Sequence, residues 1–173
     1  DQIKRTLTER GYVTPTAIQD GAITPALEGR DVIGLANTGT GKTAAFVLPI
    51  IQRLKKDIHG STALIIAPTR ELAVQINDEF KTFAQGLKLY SAICVGGTNI
   101  KPQIRQLDRR PQVVIGTPGR LKDLYSQGVL NLNHAGIVVL DEADRMLDMG
   151  FIVDIRFLLE KLPVKRQTLC FSA

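Results

Sequence analysis

The amino-acid sequence predicts an α/β domain with a mostly parallel sheet and helices on both of its faces. Short apolar runs rich in Val, Ile and Leu occur at 31–36, 62–68, 89–95, 111–117, 135–141 and 167–173. Runs that are apolar throughout suit strands buried on both faces. Segments with apolar residues at helical spacing lie between them, at 42–57, 70–85, 99–110 and 119–128. Strands and helices that alternate in this way favour a parallel sheet.

The composition is that of one globular domain. The chain has 173 residues, of which 44% are hydrophobic and 23% charged. Its polar N-terminus is unlike a signal peptide, and its longest uncharged apolar run, at 43–52, is too short to span a bilayer. Cys94 and Cys170 lie far apart in strand-like segments without a CxxC motif. We expect buried free thiols, a reducing cytoplasmic location and no membrane partner.

Parallel sheets bind ligands at the carboxyl ends of their strands, so the residues after each apolar run are the candidate site. One such cluster, "ANTGTGKT" at 36–43, predicts a P-loop. Gly39 and Gly41 let backbone N–H groups turn toward one anion, Lys42 adds a charge for the outer phosphates, and Thr43 offers a hydroxyl to Mg²⁺. The pattern departs from GxxxxGK[ST] at its first position, which is Ala36.

Acidic residues begin where the fifth apolar run stops. Asp141 follows the run directly, and Glu142 and Asp144 come next. A solvated helix face would explain acids in general but not acids that start at the end of a strand. A P-loop needs Mg²⁺, so we expect Asp141 to face the metal through water and Glu142 to deprotonate the attacking water.

Positive charge is concentrated at 101–123. Six Lys and Arg residues against two Asp residues give this stretch a net charge of +4 (6 − 2). Such a surplus attracts phosphate backbones, but a solvated helix face is the simpler interpretation of the charge alone.

Together these motifs resemble the DEAD-box RNA helicases. The P-loop and "DEAD" at 141–144 match the family, and the other motifs follow in the family's order. They are "GYVTPTAIQ" at 11–19 (the Q motif), "PTREL" at 68–72 (motif Ia), the Gly96–Gly97 doublet, "TPGR" at 117–120 (motif Ib) and "FSA" at 171–173 (the opening of motif III). The match covers essentially the whole chain, and seven motifs in order leave little room for chance.

The resemblance implies roles for individual residues. Gln19 would read adenine, because an amide donates and accepts at once, although in isolation it fits a plain helix face. Thr43 and Asp141 would hold Mg²⁺, and Lys42, Asp141 and Glu142 would serve hydrolysis. Asp144 and Ser172 would bond to each other and couple ATP to a second domain. The implied ATP-binding residues are Tyr12, Thr16, Gln19, Thr38, Gly39, Thr40, Gly41, Lys42 and Thr43.

The family also implies contacts with the RNA sugar–phosphate backbone, single-stranded or duplex. Simple helix capping is the alternative for Thr69 and Thr117, since each precedes a predicted helix and Pro118 suits a first helical position. The residues that the resemblance assigns to RNA are Pro68, Thr69, Arg70, Gly97, Thr117 and Arg120.

By this resemblance, residues 1–173 form the N-terminal RecA-like ATP-binding domain of a helicase that couples ATP hydrolysis to RNA unwinding. The second RecA-like domain, with its arginine fingers, is absent from the chain, so we expect nucleotide binding with little turnover. Two alternatives are a binding module that uses ATP only as a ligand and another P-loop enzyme such as a DNA translocase. Glu142 and Lys42 argue against the first, and the Q motif, "PTREL" and "TPGR" against the second.

Overall fold

A computed structural model describes residues 2–57 and 60–173. It confirms the α/β class: six strands form one sheet in which every neighbouring pair is parallel. The strands are β1 (Val32–Leu35), β2 (Thr62–Ile66), β3 (Ser91–Cys94), β4 (Val113–Gly116), β5 (Ala135–Leu140) and β6 (Gln167–Ser172). Their order across the sheet is β1-β6-β5-β2-β4-β3. All six apolar runs therefore contain strands, each shorter than predicted.

Eight helices surround the sheet in the described part of the chain. Four were predicted: α3 (Lys42–Lys56), α4 (Arg70–Phe83), α5 (Ile100–Asp108) and α6 (Pro118–Ser126). Four were not: α1 (Gln2–Glu9), α2 (Ala17–Leu27), α7 (Ala143–Asp148) and α8 (Ile152–Lys161). Helix α7 has only six residues, and α2 contains Gly21 and Pro25, which disfavour a helix when read locally. Packing against the rest of the domain outweighs those local preferences.

Two apolar layers hold the helices to opposite faces of the sheet, as the sequence predicts. Along β2, Ala63 and Ile65 pack with α3 and α4, whereas Leu64 and Ile66 pack with α6 and α8. Successive side chains of a strand point to opposite faces, so each strand supplies both layers. The sheet between these layers positions the loops that follow its strands.

A buried glutamine joins three elements at the amino edge of the sheet. The Gln167 Nε2 atom donates to the carbonyl oxygens of Ala26 and Arg30, each at 2.8 Å. Its Oε1 accepts from Arg53 Nη1 at 2.9 Å. These bonds hold the turn between α2 and β1 against β6 and α3. They therefore help to determine where the residues after β1 lie.

The two cysteines differ in burial. Cys94 is buried, and burial raises the pKa of its thiol to about 12, so it stays protonated at neutral pH. The expectation that both thiols are buried was wrong for Cys170, which is half-buried. Its partner across the sheet, Ile33 of β1, is 82% exposed, so this face of the sheet is open there. Within the described residues no helix is long and apolar enough to cross a membrane.

We predict that Gln167→Leu lowers the free energy of unfolding by about 1–3 kcal/mol, because buried carbonyl groups lose their donor. Urea denaturation followed by circular dichroism measures this. Val164→Ala is the control: Val164 is 98% exposed, so its truncation should change stability by less than about 0.5 kcal/mol. Equal stability of Gln167→Leu and the wild type would contradict the role of this glutamine.

Candidate functional site

The sequence clusters that follow the strands all lie on the carboxyl edge of the sheet. The strand order determines the order in which these clusters lie along that edge. Residues 36–43 follow β1, Ala173 follows β6 and 141–144 follow β5, which together form one half of the edge. Residues 67–70 follow β2, 117–120 follow β4 and 95–98 follow β3, which form the other half. The strand order thus places the P-loop and the acids in one half of the edge, and Arg70, Gly97 and Arg120 in the other half.

The P-loop bends through two glycines in the left-handed region. Gly39 has φ +84° and Gly41 has φ +78°, and α3 begins immediately afterwards at Lys42. The Thr40 hydroxyl donates to the Asn37 carbonyl at 2.6 Å and closes the loop on itself. L-amino acids with a side chain rarely adopt such angles, so the loop depends on both glycines.

Gln19 connects the Q motif to the P-loop. Its Oε1 accepts from the Thr16 backbone N–H at 3.0 Å, which completes a capping box at the start of α2. Its Nε2 donates to the Gly41 carbonyl at 3.1 Å. A Cβ on Gly41 would collide with this same Nε2 atom. Gln19 therefore does more than lie on a helix face. Its side chain also bonds to the P-loop, a contact that the sequence did not predict.

Tyr12 lies away from the P-loop. Its ring packs edge-on against Phe83 of α4, with centroids 5.9 Å apart, and remains 37% exposed. Thr16, Gln19 and the P-loop meet, whereas the Tyr12 ring is held at the C-terminal end of α4.

Lys42 and Asp141 form a buried ion pair. Lys42 Nζ is 3.1 Å from Asp141 Oδ1, and the side chains are 7% and 0% exposed. Burial raises the pKa of the Asp141 carboxyl above its ordinary value, and the Lys42 ammonium opposes that shift. Asp141 Oδ2 is buried and has no hydrogen-bond partner among the described residues. One carboxylate oxygen is thus paired and the other is left available.

Glu142 holds a left-handed backbone conformation, with φ +51° and ψ +51°. In a residue other than glycine this costs about 1 kcal/mol or more. The conformation turns Oε1 toward the P-loop, where it accepts from Thr38 Oγ1 at 3.4 Å and lies 3.9 Å from Lys42 Nζ. Oε2 is 3.2 Å from Nη1 of Arg145, a residue that the sequence did not single out. Strained backbone of this kind is typical of functional sites.

These groups border a cavity of about 260 Å³, lined by Ala36, Thr38, Lys42, Glu142, Asp144, Arg145 and Ala173. Asp144 and Ser172 meet beside it through one hydrogen bond. The Asp144 backbone N–H, and not its carboxylate, donates to the Ser172 hydroxyl at 3.3 Å. Thr43 is half-buried in the first turn of α3, directly after Lys42. The P-loop, both acids and the end of β6 therefore share one space.

The other half of the edge presents two helix N-termini. Thr69 caps α4 by accepting from the Leu72 N–H at 3.2 Å, beside buried Pro68 and exposed Arg70. Thr117 precedes α6 but makes no side-chain capping bond. Capping thus accounts for Thr69 and leaves the Thr117 hydroxyl without that role.

Arg120 is bonded within the protein. Its Nη1 and Nη2 donate to the Thr98 carbonyl at 3.3 Å, and Nη1 also donates to Gln103 Oε1 at 3.1 Å. Gln103 Nε2 in turn donates to the Val95 carbonyl at 3.0 Å. Arg120 and Gln103 together hold the loop around Gly97. The sequence missed Gln103, although a polar residue on the inward face of a predicted helix was a usable signal.

The Gly96–Gly97 doublet points into open space. Both residues are exposed, and a Cβ built on either has no atom within 4 Å. Gly97 has φ +76°, so its conformation favours glycine, but Gly96 has no such angle. Contacts inside the described chain thus leave the glycine at 96 unexplained, and close approach by a ligand is a common reason for glycine.

A larger cavity, of about 770 Å³, lies at the opposite edge of the sheet. It is bordered by the amino ends of β2 and β4, by the end of α5 and by His134. None of the predicted site residues lines it. The candidate chemistry is therefore confined to the carboxyl edge.

Comparison with known families agrees with this geometry. The family model described as "DEAD/DEAH box helicase" matches residues 16–173. The chain belongs to the DEAD/DEAH box helicase family. Curated relatives include the ATP-dependent RNA helicase CshA of Listeria monocytogenes, 46% identical over the whole chain and 33% of the relative's length. The RNA helicase CrhR of Synechocystis sp. is 49% identical over 96% of the chain and 34% of its own length.

The helicase fold is also seen in a solved structure. A hypothetical ATP-dependent RNA helicase from Sulfolobus tokodaii is 37% identical, with a TM-score of 0.91 over 99% of this chain and 50% of that protein. The chain thus spans about a third of the curated helicases that it matches and half of the solved one.

We predict that Gly41→Ala destabilises the nucleotide-free domain more than Gly39→Ala does. Both substitutions place alanine in a left-handed conformation, at about 1 kcal/mol, but only the Cβ at position 41 meets Gln19 and Thr16. Moving Gln19 aside breaks its bond to the Gly41 carbonyl, which should add about 0.5–1.5 kcal/mol. Urea denaturation measures both, and Gln19→Ala should cost less in the Gly41→Ala background than in the wild type. Equal losses from the two glycine variants would refute the contact.

Proposed function

We propose that this chain is the N-terminal RecA-like, ATP- and RNA-binding half of an ATP-dependent RNA helicase that couples ATP hydrolysis to RNA duplex unwinding. The observation that supports it most is the buried Lys42–Asp141 pair, with the strained Glu142 beside it, at the mouth of the P-loop. The names of the related helicases support the same assignment.

ATP would bind with its phosphates in the P-loop. The N–H groups around Gly39 and Gly41 and the N-terminus of α3 would face the phosphates, and Lys42 would exchange Asp141 for them. Gln19 would read adenine. Its amide has used one N–H and one lone pair on Gly41 and Thr16, so one donor and one acceptor remain for the base.

The residues present fit Mg²⁺. Asp141 has a buried carboxylate oxygen without a partner, Thr43 offers a hydroxyl next to Lys42, and oxygen is the ligand type that Mg²⁺ prefers. Thr43 and Asp141 would hold the ion, Asp141 through a bound water. The ion, when bound, neutralises charge that develops on the phosphates.

Glu142 would act as the general base. Its left-handed backbone turns Oε1 toward Thr38 and Lys42, where it would accept the proton of the attacking water. Asp144 and Ser172 would transmit the nucleotide state, because their bond ties the DEAD segment to the last described residues of the chain. A module that only binds ATP has no use for a carboxylate held in a strained position.

RNA would lie along the other half of the edge. Arg70 is exposed at the start of α4, Thr117 and Pro118 open α6, and Gly97 stands clear of the protein. Helix N-termini, Arg side chains and exposed backbone suit phosphate contacts that position a strand without reading its bases. Thr69 and Pro68 would shape the α4 turn, and Arg120 would act by holding the Gly97 loop.

A second RecA-like domain would complete the site. The related helicases are two to three times as long as the matched region, which leaves room for such a domain in a parent protein. Its arginine fingers would stabilise the transferring phosphoryl group, at about 10³–10⁵ in rate. A reducing cytoplasmic location stays a prediction from the two free thiols.

We predict that Lys42→Ala abolishes measurable binding of Mg-ADP and Mg-ATP, because the outer phosphates lose their buried cation. The single substitution also strands the buried Asp141 charge, which typically costs about 3–5 kcal/mol. The double variant Lys42→Ala/Asp141→Asn removes that charge and should regain stability without regaining nucleotide. Calorimetry and urea denaturation report the two effects separately. Unchanged nucleotide affinity in the double variant would remove the P-loop assignment.

We also predict that the chain binds adenine nucleotides but shows no RNA-stimulated ATP hydrolysis. Lys42, Thr43, Asp141 and Glu142 position the reactants, but the charge that stabilises the transition state would come from the second domain. Steady-state phosphate release is measured with and without single-stranded RNA.

Covalent linkage to the parent's second domain should restore RNA-dependent turnover, and Glu142→Gln should abolish that gain while nucleotide binding persists. Turnover by the chain alone at the level of the two-domain protein would show that no second domain is needed. Full turnover by the Glu142→Gln protein would exclude Glu142 as the base.

A further inference from the structure

Helix α5 displays three cations in one line. Lys101, Arg105 and Arg109 are spaced four residues apart, the last at the helix C-cap, and all three are exposed. Residues four apart are neighbours on a helix surface, so the three side chains form a stripe, which we call the α5 basic stripe. The opposite face of α5 packs on the domain through Gln103 and Leu107.

The α5 basic stripe has no acidic partner in the described part of the chain. No ion pair joins Lys101, Arg105 or Arg109 to any residue in 2–57 or 60–173. Asp108, the acid of α5, lies in its last turn and pairs with none of them. Like charges four residues apart destabilise a helix by about 0.2–0.5 kcal/mol per pair. An external polyanion would remove that repulsion.

The stripe begins where the proposed RNA path ends. Along the carboxyl edge the order β2, β4, β3 places Arg70, then Pro118, then Gly97 in a row. Helix α5 starts three residues after Gly97, and its entry is held by Arg120 on Thr98. From Lys101 to Arg109 the helix runs for about 12 Å away from that edge.

We propose that the α5 basic stripe is a second contact surface for the RNA sugar–phosphate backbone. A strand that crosses the edge from Arg70 to Gly97 continues over the outer face of α5, where its phosphates meet the three cations in turn. The contacts are charge contacts alone, so they lengthen the RNA footprint without adding sequence preference. This inference rests on the proposed binding of RNA at Gly97.

The test compares two RNAs by fluorescence anisotropy at several salt concentrations. One is a short single strand that fills only the edge contacts. The other is the same strand with extra nucleotides, added at the 5′ end in one sample and at the 3′ end in another. Extension at one of the two ends should increase the affinity of the wild-type chain. The triple variant Lys101→Gln/Arg105→Gln/Arg109→Gln should lose that increase and still bind the short strand. Its salt slope for the extended RNA should fall by about 2, at about 0.7 per phosphate contact.

A charge-matched variant separates position from net charge. Lys81→Gln/Lys88→Gln/Lys165→Gln removes three exposed cations near the amino edge of the sheet, so it should keep the gain from the extension. Circular dichroism and urea denaturation verify that both triple variants fold.

The outcomes distinguish this surface from the proposed function. Arg70→Gln should weaken binding of both RNAs, and a wild-type chain that binds neither RNA overturns the RNA role itself. If the stripe variant keeps the gain from the extension, or if both triple variants lose it equally, the surface is refuted. Displacement of the extended RNA from the stripe by polyglutamate at equal charge concentration would indicate an acidic protein partner instead and would also overturn the proposal.

Discussion

The buried pair between Lys42 and Asp141 is the interaction on which the rest of this structure depends. The two residues follow β1 and β5, which are separated by β6, so their side chains meet across a whole strand. An ion buried without a partner costs several kcal/mol, and each residue supplies the partner that the other requires. The pair therefore fixes the P-loop relative to the DEAD segment in the nucleotide-free domain. Under the proposed function, a bound phosphate would offer Lys42 a second partner.

Hydrogen bonds from glutamine and arginine side chains extend this constraint along the edge. Gln19 ties the Q motif to Gly41, and Arg120 ties motif Ib to the loop that contains Gly97. Each bond ends on a backbone carbonyl, so it fixes the path of a loop rather than only the position of another side chain. Loops that present phosphate-binding groups need such fixing, because a misplaced donor loses most of its value. The motifs are thereby linked into two rigid groups, one around the P-loop and one around Gly97.

Much of the fold could be predicted because the strands are mostly apolar and four of them, β1 to β4, precede a clear helical segment. The sequence did not predict α1, α2, α7 or α8. Helices α7 and α8, on either side of Gly150, depend on burying their own Met146 and Leu158 in the core. Most of the residues assigned to ATP lie in the P-loop, and those assigned to hydrolysis and to coupling lie at the ends of β5 and β6. They share one edge because residues that follow parallel strands must do so. Tyr12 is farther away, on Phe83, because α1 and α4 determine where it packs.

By itself the sequence determined the α/β class, the P-loop, the acids after β5 and the family, since these depend on residue types at fixed local spacing. Only the tertiary structure decided which groups face one another. It paired Lys42 with Asp141, turned the Glu142 backbone to the left-handed region and gave Arg120 a structural bond in place of a free charge. Those outcomes follow from strand order and burial. Both are properties of residues far apart in the chain, which no local spacing records.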